Sequence, residues 1–546
     1  MSMITATSWV RRGVAAPFPV KYDIDEDEIN RISELAKLQL QDAKTDLKEA
    51  REGDKMDEDE DEKEKTTEAG KAGGKGAGKS GDKSNEDDEL KEYDLDHYDS
   101  DPVDEHGEQA MMFGNVRSLA YHQPGEEDPY LVMPEAEDED DERGELQIYP
   151  TDNLLLAAKV EDEVAHMEVY VYEDSADNLY VHHDIMLPAI PLCLEWLDIP
   201  VGHAAKDRTN GNFVAVGTME PDIEVWDLDI VDCMYPNAIL GHGADADSAE
   251  ASKKKKKRSK KANDNYHVDA VLALAANRQH RNLLASGSAD KTVKLWDLNT
   301  AKCAQSYAGN HSDKVCSLDW HPKESTILLS GSYDKTVVAA DMRAPEAKAA
   351  RWSLDSDLEA VRWDPHDPNF FYAATDSGRV YYYDVRNAST SAGASKPLWM
   401  LQAHDSSVSS FDVNAHIPGF IVTGSTDKQV KLWNIADNKP SMVVSRKLDV
   451  GRVFSTTFAP DQEVSFRLAV AGSKGAVKIW DTSTNAAVRR AFTSRLGQAA
   501  AGEGEAVQER ILGVAQDDSE DSDDEEEGEQ GQGPSGGDGW ESMDED

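Results

Sequence analysis

Short alternating runs of Val, Ile, Leu and aromatic residues recur through the middle of the chain, and each ends in a similar dipeptide. Trp226-Asp227, Trp296-Asp297, Ala340-Asp341, Tyr383-Asp384, Trp433-Asn434 and Trp480-Asp481 hold the same place in their runs, at intervals of 70, 44, 43, 50 and 47 residues. A weaker copy, Met167-Glu168-Val169-Tyr170-Val171, ends at Tyr172-Glu173. Period-two alternation over so few residues predicts strands. Seven copies at a near-constant period predict a repeat architecture. The long first interval contains a lysine-rich insert, Lys253 to Lys261.

A second regularity lies inside the repeats. His267, His311 and His404 each precede an aspartate by 23 residues (Asp290, Asp334 and Asp427), and Trp296, Ala340 or Trp433 follows six residues later. Between them stand Ser286-Gly287-Ser288, Ser330-Gly331-Ser332 and Thr423-Gly424-Ser425. The pattern resembles the WD40 repeat, which implies an all-β, seven-bladed WD40 β-propeller. A four-stranded sheet with two apolar faces cannot be buried alone, and stacking such sheets in a ring covers both faces. The resemblance also implies a hydrogen-bonded tetrad within a blade: His267, Ser286, Asp290 and Trp296, and likewise His404, Thr423, Asp427 and Trp433. Blade four keeps His311, Ser330 and Asp334 but has Ala340, so its tetrad is truncated. Loss of Asp427 is therefore expected to cost about 1–3 kcal/mol, and loss of Asp334 less. Histidine and aspartate are common catalytic and metal-binding residues. Here the pairs repeat around a ring, whereas an active site occurs once. No GxSxG elbow, phosphate loop or HExxH is found. The expectation is a non-enzyme with no catalytic residue, metal site or cofactor.

Charge divides the chain further. Of 546 residues with a net charge of −50, residues 1–150 hold 43 acids against 18 bases, and residues 501–546 hold 18 acids against one base. Such arms bury too little apolar surface to offset ordering entropy, and they read as disordered acidic N- and C-terminal arms. The expected organisation is a segment 1–52 with a short amphipathic helix (Ile29, Ile32, Leu35, Ala36, Leu40), then an acidic Gly- and Lys-rich disordered linker, 53–110. An extension, 111–145, should close the ring. The propeller follows at 146–495 with a lysine-rich insert at 243–264, and an acidic disordered tail at 496–546. Either Tyr130 to Met133 or Ala487 to Arg490 should supply the last outer strand, and the WD40 resemblance favours the N-terminal chain. No run of 18 apolar residues exists to span a membrane. Cys193, Cys233, Cys303 and Cys316 lie far apart without a CxxC pair, which suggests reduced thiols in the cytosol or nucleus.

Several stretches carry candidate chemistry. The run Lys253, Lys254, Lys255, Lys256, Lys257, Arg258, Lys260 and Lys261 reads as a nuclear-import signal or an RNA-phosphate contact. Residues 151–250 hold 21 acids and three bases, whereas residues 451–500 hold three acids and seven bases. A lopsided ring of this kind suits a scaffold set between RNA and basic proteins. Arg446, Lys447, Arg452, Arg467, Arg489, Arg490 and Arg495 are the RNA-side candidates. Trp9, Arg11, Arg12 and Phe18 mix aromatic and basic residues without a regular period and read as a partner-docking segment. Ser519, Ser522 and Ser542 lie among acids and are phosphorylation candidates.

Taken together, the pieces resemble the periodic tryptophan protein 1 family. The likeness rests on the opening from Met3-Ile4 to Lys21 with its Trp-Val-x-Arg-Gly core, the acidic N-terminal arm and the lysine insert ahead of blade three. It also rests on the run Ser-Ala-Asp-Lys-Thr-Val-Lys-Leu-Trp-Asp at 288–297 and the acidic C-terminus. The resemblance implies a nucleolar scaffold that binds large (60S) ribosomal subunit precursors and supports rRNA processing. Its partners would be precursor rRNA, ribosomal proteins and other assembly factors, with the chain monomeric in the assembly. Some members are linked to chromatin at ribosomal DNA, so a histone-binding propeller is an alternative. A third is a cullin-4 substrate receptor, because Asp341-Met342-Arg343 and Tyr383-Asp384-Val385-Arg386 resemble WDxR boxes.

Overall fold

The computed structural model describes residues 2–22, 144, 146–202, 210–241, 263–344, 349–387, 396–492, 495 and 509–514. The chain divides into two compact units, Met1–Lys21 with Ile148–Asp546, and Tyr22–Gln147, the second lying almost wholly outside the described residues. The first unit holds seven antiparallel four-stranded sheets. Their first strands touch in a closed cycle, so the sheets are the blades of a seven-bladed β-propeller.

Blade three shows why these residues form a blade. Its strands are Val271–Ala276, Leu283–Ser288, Val293–Asp297 and Lys302–Tyr307. Leu284–Ser288 and Val293–Trp296 are buried throughout, because neighbouring blades cover both faces. The last strand lies on the rim and is mostly polar and exposed. The Ser-Gly-Ser triplet follows from the same packing. A Cβ on Gly287 would meet Val315 of the next blade at 2.7 Å, so only glycine permits that approach. Ser288 Oγ donates to Asp269 O at 3.0 Å and accepts the Asp290 N–H at 3.1 Å, which fixes the following turn. Lys291 there has φ +70°, and Asp290 Oδ1 accepts the Thr292 N–H at 2.9 Å, an aspartate-stabilised turn.

Adjacent blades are stitched at the ring centre by small donors. Thr5 Oγ1 donates to Pro191 O at 2.8 Å, Cys193 Sγ to Val271 O at 3.6 Å and Cys316 Sγ to Leu358 O at 3.1 Å. Two of the four widely spaced cysteines therefore serve inter-blade contacts, and burial pushes both thiols above their ordinary range.

The ring closes differently from the sequence expectation. The innermost strand of blade one is Ser2–Val10, paired antiparallel with Asn153–Glu161. The outermost strand of blade seven is Arg510–Gly513, paired with Lys478 to Asp481. Tyr130 to Met133 lie outside the described residues, and Ala487 to Arg490 belong to a helix, Ala486–Phe492. Val488 and Phe492, four residues apart, are both buried, which is helical and not strand spacing. The beginning of segment 1–52, Ser2–Val10, is therefore part of the propeller, and the tail 496–546 contributes the strand Arg510–Gly513. Residues 11–152 form the connection between the first two strands of blade one. The Ile148 N–H donates to Pro17 O at 3.0 Å, so the chain returns beside the point it left.

Candidate functional site

Three sets of residues carry the sequence-level candidates: the tetrads, the opening segment and the late arginines. In blade three, Trp296 Nε1 donates to Ser286 Oγ at 2.8 Å, Ser286 Oγ lies 2.7 Å from His267 Nε2, and His267 Nδ1 lies 2.9 Å from Asp290 Oδ2. Because the tryptophan can only donate, the serine accepts from it and gives its own proton to Nε2. The remaining imidazole proton then sits on Nδ1 and faces the carboxylate. Burial pushes the imidazole below its ordinary value and favours this neutral form. Burial opposes the Asp290 charge, yet bonds from His267 and Thr292 hold its carboxyl at about 2. Blade six repeats the set through Trp433 to Thr423 (2.9 Å), Thr423 to His404 (2.8 Å) and His404 to Asp427 (2.8 Å).

Blade four shows the truncation. His311 Nε2 lies 2.8 Å from Ser330 Oγ, but alanine at 340 leaves that serine without the indole donor that Trp296 and Trp433 supply in the other two blades. Asp334 is no less engaged for that. It accepts the Ser312 N–H at 2.8 Å and Thr336 Oγ1 at 2.6 Å, and it lies 3.4 Å from His311 Nδ1. The expectation that Asp334 would be the cheaper loss is therefore revised: the missing partner is felt at Ser330. In all three blades the histidine side chain has no solvent exposure. Each histidine is bound by partners of its own blade. Among the described residues no group of His, Cys, Asp and Glu is arranged to hold a metal ion.

The opening segment binds its own ring. Trp9 is buried, packs edge-on against Tyr172 with centroids 6.1 Å apart, and donates from Nε1 to Thr457 O at 3.2 Å. Arg12 Nη1 pairs with Glu463 at 2.8 Å, its Nε donates to Asn153 Oδ1 at 2.8 Å, and its backbone N–H donates to Asp461 Oδ2 at 3.0 Å. The docking assigned to Trp9 and Arg12 is thus intramolecular, while Arg11 and Phe18 remain exposed. Beyond it, Val20–Lys21 pairs parallel with Ile230–Val231 of blade two.

Next to Arg12 lies a charged seam between blades one and seven. Arg467 Nη2 lies 2.8 Å from Asp174 Oδ1 and Nη1 lies 2.6 Å from Asp481 Oδ1. Arg510 pairs with Asp177 and donates to Asp174 O at 3.0 Å, and Tyr172 donates its hydroxyl to Asp174 at 2.7 Å. Burial works against the Arg467 charge, but Asp481 and Asp174 outweigh it and raise its value. Arg467 is therefore a seam residue and not an RNA-side one. Tyr172, Asp174, Asp461 and Arg510 were missed in the sequence, where no spacing marks them.

The other late bases are more available. Arg446, Lys447, Arg452 and Arg490 are exposed, and the helix Ala486–Phe492 packs on the outer strand of blade six, Lys439–Arg446. Arg446 Nη2 reaches Glu509 at 3.1 Å, and Arg495 sits over the Phe492 ring, 5.4 Å from its centroid. A basic rim thus joins the outer edges of blades six and seven. Lys253 to Lys261, Ser519, Ser522, Ser542 and the amphipathic stretch 29–40 lie outside the described residues.

Blades of this topology and tetrad define a WD-repeat β-propeller, and the WD domain, G-beta repeat family matches residues 262–297, 301–338 and 395–434. An uncharacterised WD repeat-containing protein of Schizosaccharomyces pombe is 50% identical, with 95% of this chain and 96% of that protein covered. Periodic tryptophan protein 1 of Saccharomyces cerevisiae is 40% identical over 90% of each chain. The Drosophila melanogaster homolog of periodic tryptophan protein 1 is 31% identical, covering 65% of this chain and 73% of its own. The chain belongs to the periodic tryptophan protein 1 family.

Proposed function

We propose that this protein is a non-enzymatic scaffold in ribosome biogenesis that binds large-subunit precursors and supports rRNA processing in the nucleolus. One observation carries the reading: the ring is charged unequally around its circumference. Blades one and two are acid-rich, whereas the outer edges of blades six and seven gather Lys439, Arg446, Arg489 and Arg490 about one helix. Such a rim suits phosphate, and the acidic sector with the acidic arms suits basic ribosomal proteins. The lysine run, residues 253–261, serves nuclear import. Neutralising it should leave the protein cytoplasmic at an unchanged melting temperature.

With Trp9 and Arg12 committed to the ring, the rim becomes the principal contact with RNA. Reversing Arg489 and Arg490 should release the protein from precursor particles on gradients at rising salt, because each neutralised phosphate adds roughly 0.7–0.9 to the salt slope. Sedimentation unchanged by the reversal counts against direct RNA contact there. A chromatin reading at ribosomal DNA draws on the same acidic sector, and recovery of histones without precursor rRNA would favour it. In the cullin-4 reading, Arg343 and Arg386 would face a ligase adaptor. Each instead folds onto its own aspartate, Asp341 or Asp384, at 2.7 Å.

A further inference from the structure

Blade one differs from the other blades in how its first strand arrives. Residues 11–152 separate Ser2–Val10 from its partner Asn153–Glu161, whereas residues 277–282 suffice in blade three and 321–326 in blade four. Closure probability falls as roughly the three-halves power of loop length. In the unfolded chain Ser2–Val10 therefore meets its slot at about a hundredfold lower effective concentration than the first strand of blade three. Blades two to six need nothing from this segment for their own four strands.

Yet the slot is closely fitted. On the blade-seven side the Thr7 N–H donates to Ser455 Oγ at 3.2 Å, and Thr7 Oγ1 lies 2.7 Å from Ser455 Oγ and 3.2 Å from Thr457 Oγ1. On the blade-two side Thr5 Oγ1 reaches Pro191 O and Val10 is fully buried, while Ile4 is fully buried toward blade seven. The contacts read a sequence: hydroxyls at positions 5 and 7, an indole at 9, and apolar residues at 4 and 10. An edge that pairs by main-chain bonds and selects side chains by alternate pockets is a strand-recognition site.

We propose that Ser2–Val10 is an exchangeable strand. It enters the ring after the other blades have formed, and the slot between blades seven and two accepts the same segment from a second copy of this chain. The long connection gives the strand the reach for such a swap, and the two copies use identical contacts.

The test uses the full chain with a protease site inserted in its glycine-rich stretch near Gly73, cleaved after folding. The probe is a fluorescein-labelled peptide of residues 1–22. The cleaved ring should retain its own fragment and then exchange it for the probe. A Thr7→Val or Trp9→Ala probe should bind at least tenfold more weakly. Exchange no faster than global unfolding, or equal binding of all three probes, overturns the proposal. Hydrogen exchange on the uncleaved protein provides a second measurement. Amides of Ser2–Val10 should exchange at least tenfold faster than those of Leu283–Ser288, and equal protection also overturns it.

Discussion

Blade three and blade one reach the same four-stranded architecture by opposite means. In blade three, every residue of the stabilising set comes from one stretch, His267 to Trp296, and the bonds run between neutral groups that end on a single carboxylate. In blade one, the strands come from two distant stretches, and beside the neutral threonine contacts of its first strand it carries charged ones. Lys159 Nζ reaches Glu168 at 3.0 Å, Tyr170 donates to the same carboxylate, and Asp174 is shared with Arg467 of blade seven. A repeat that folds from contiguous chain can be held by local, neutral bonds. A seam between chain ends needs groups that attract over a longer distance and specify one pairing, which is what arginine–carboxylate networks provide.

That comparison can be broken most directly at Arg467. Replacement by alanine removes the nearest cation from Asp174 and Asp481 and leaves them the longer pairs with Arg510, at 3.7 and 3.9 Å, so it should cost about 3 kcal/mol. A melting temperature lowered no further than by Ser286→Ala would mean that the seam is not held by charge. Blade two tests the local side. There Trp226 Nε1 donates at 3.2 Å to a carboxylate, Glu224, where blade three uses a serine. Burial pushes the Glu224 carboxyl up to about 7, above its ordinary 4.5. With the folded value above the unfolded one, the stability tied to the protonated acid is complete below about 4.5 and is lost as pH rises through about 7. Glu224→Gln, which keeps the acceptor, should melt like the parent at acid pH. In alkaline solution it should gain about 2–3 kcal/mol, and equal melts at both pH values would contradict the assignment.

The tetrads give smaller effects. Ser286→Ala strands both His267 and Trp296 and should cost about 2 kcal/mol, while Ser330→Ala strands only His311 and should cost about 1 kcal/mol. Equal losses would show that the tryptophan adds nothing to the chain of bonds. Arg343→Ala should leave the melting temperature unchanged, since its pair with Asp341 stands in water. A measurable drop would give the rim pairs a structural weight that the comparison denies them.

How far these features could be read in the sequence depends on where their partners lie. The tetrads were legible because their members recur at fixed spacing within one blade. Ser2–Val10 was not, because an inner strand wedged between two blades has no exposed face to alternate with. Its Thr5, Ala6 and Thr7 look like any polar stretch. Arg510 to Gly513 was hidden for a different reason: two large apolar residues, Ile511 and Leu512, beside a long acidic run vanish in any composition window. Arg467 was misread because the sequence shows a charge but not the carboxylates that meet it.

By itself, then, the sequence determined the repeat, the number of blades, the residues of the tetrads and the unequal charge around the ring. All of these are encoded within single repeats or in sums over them. Only the tertiary structure decided how the ring closes, that Trp9, Arg12 and Arg467 face inward, and that Arg446 and the Arg489–Arg490 pair share one rim. These arrangements depend on contacts between residues separated by hundreds of positions, such as Thr7 with Ser455 and Arg467 with Asp174. No local pattern records such a pair, because each partner satisfies its neighbours equally well whether or not the other arrives.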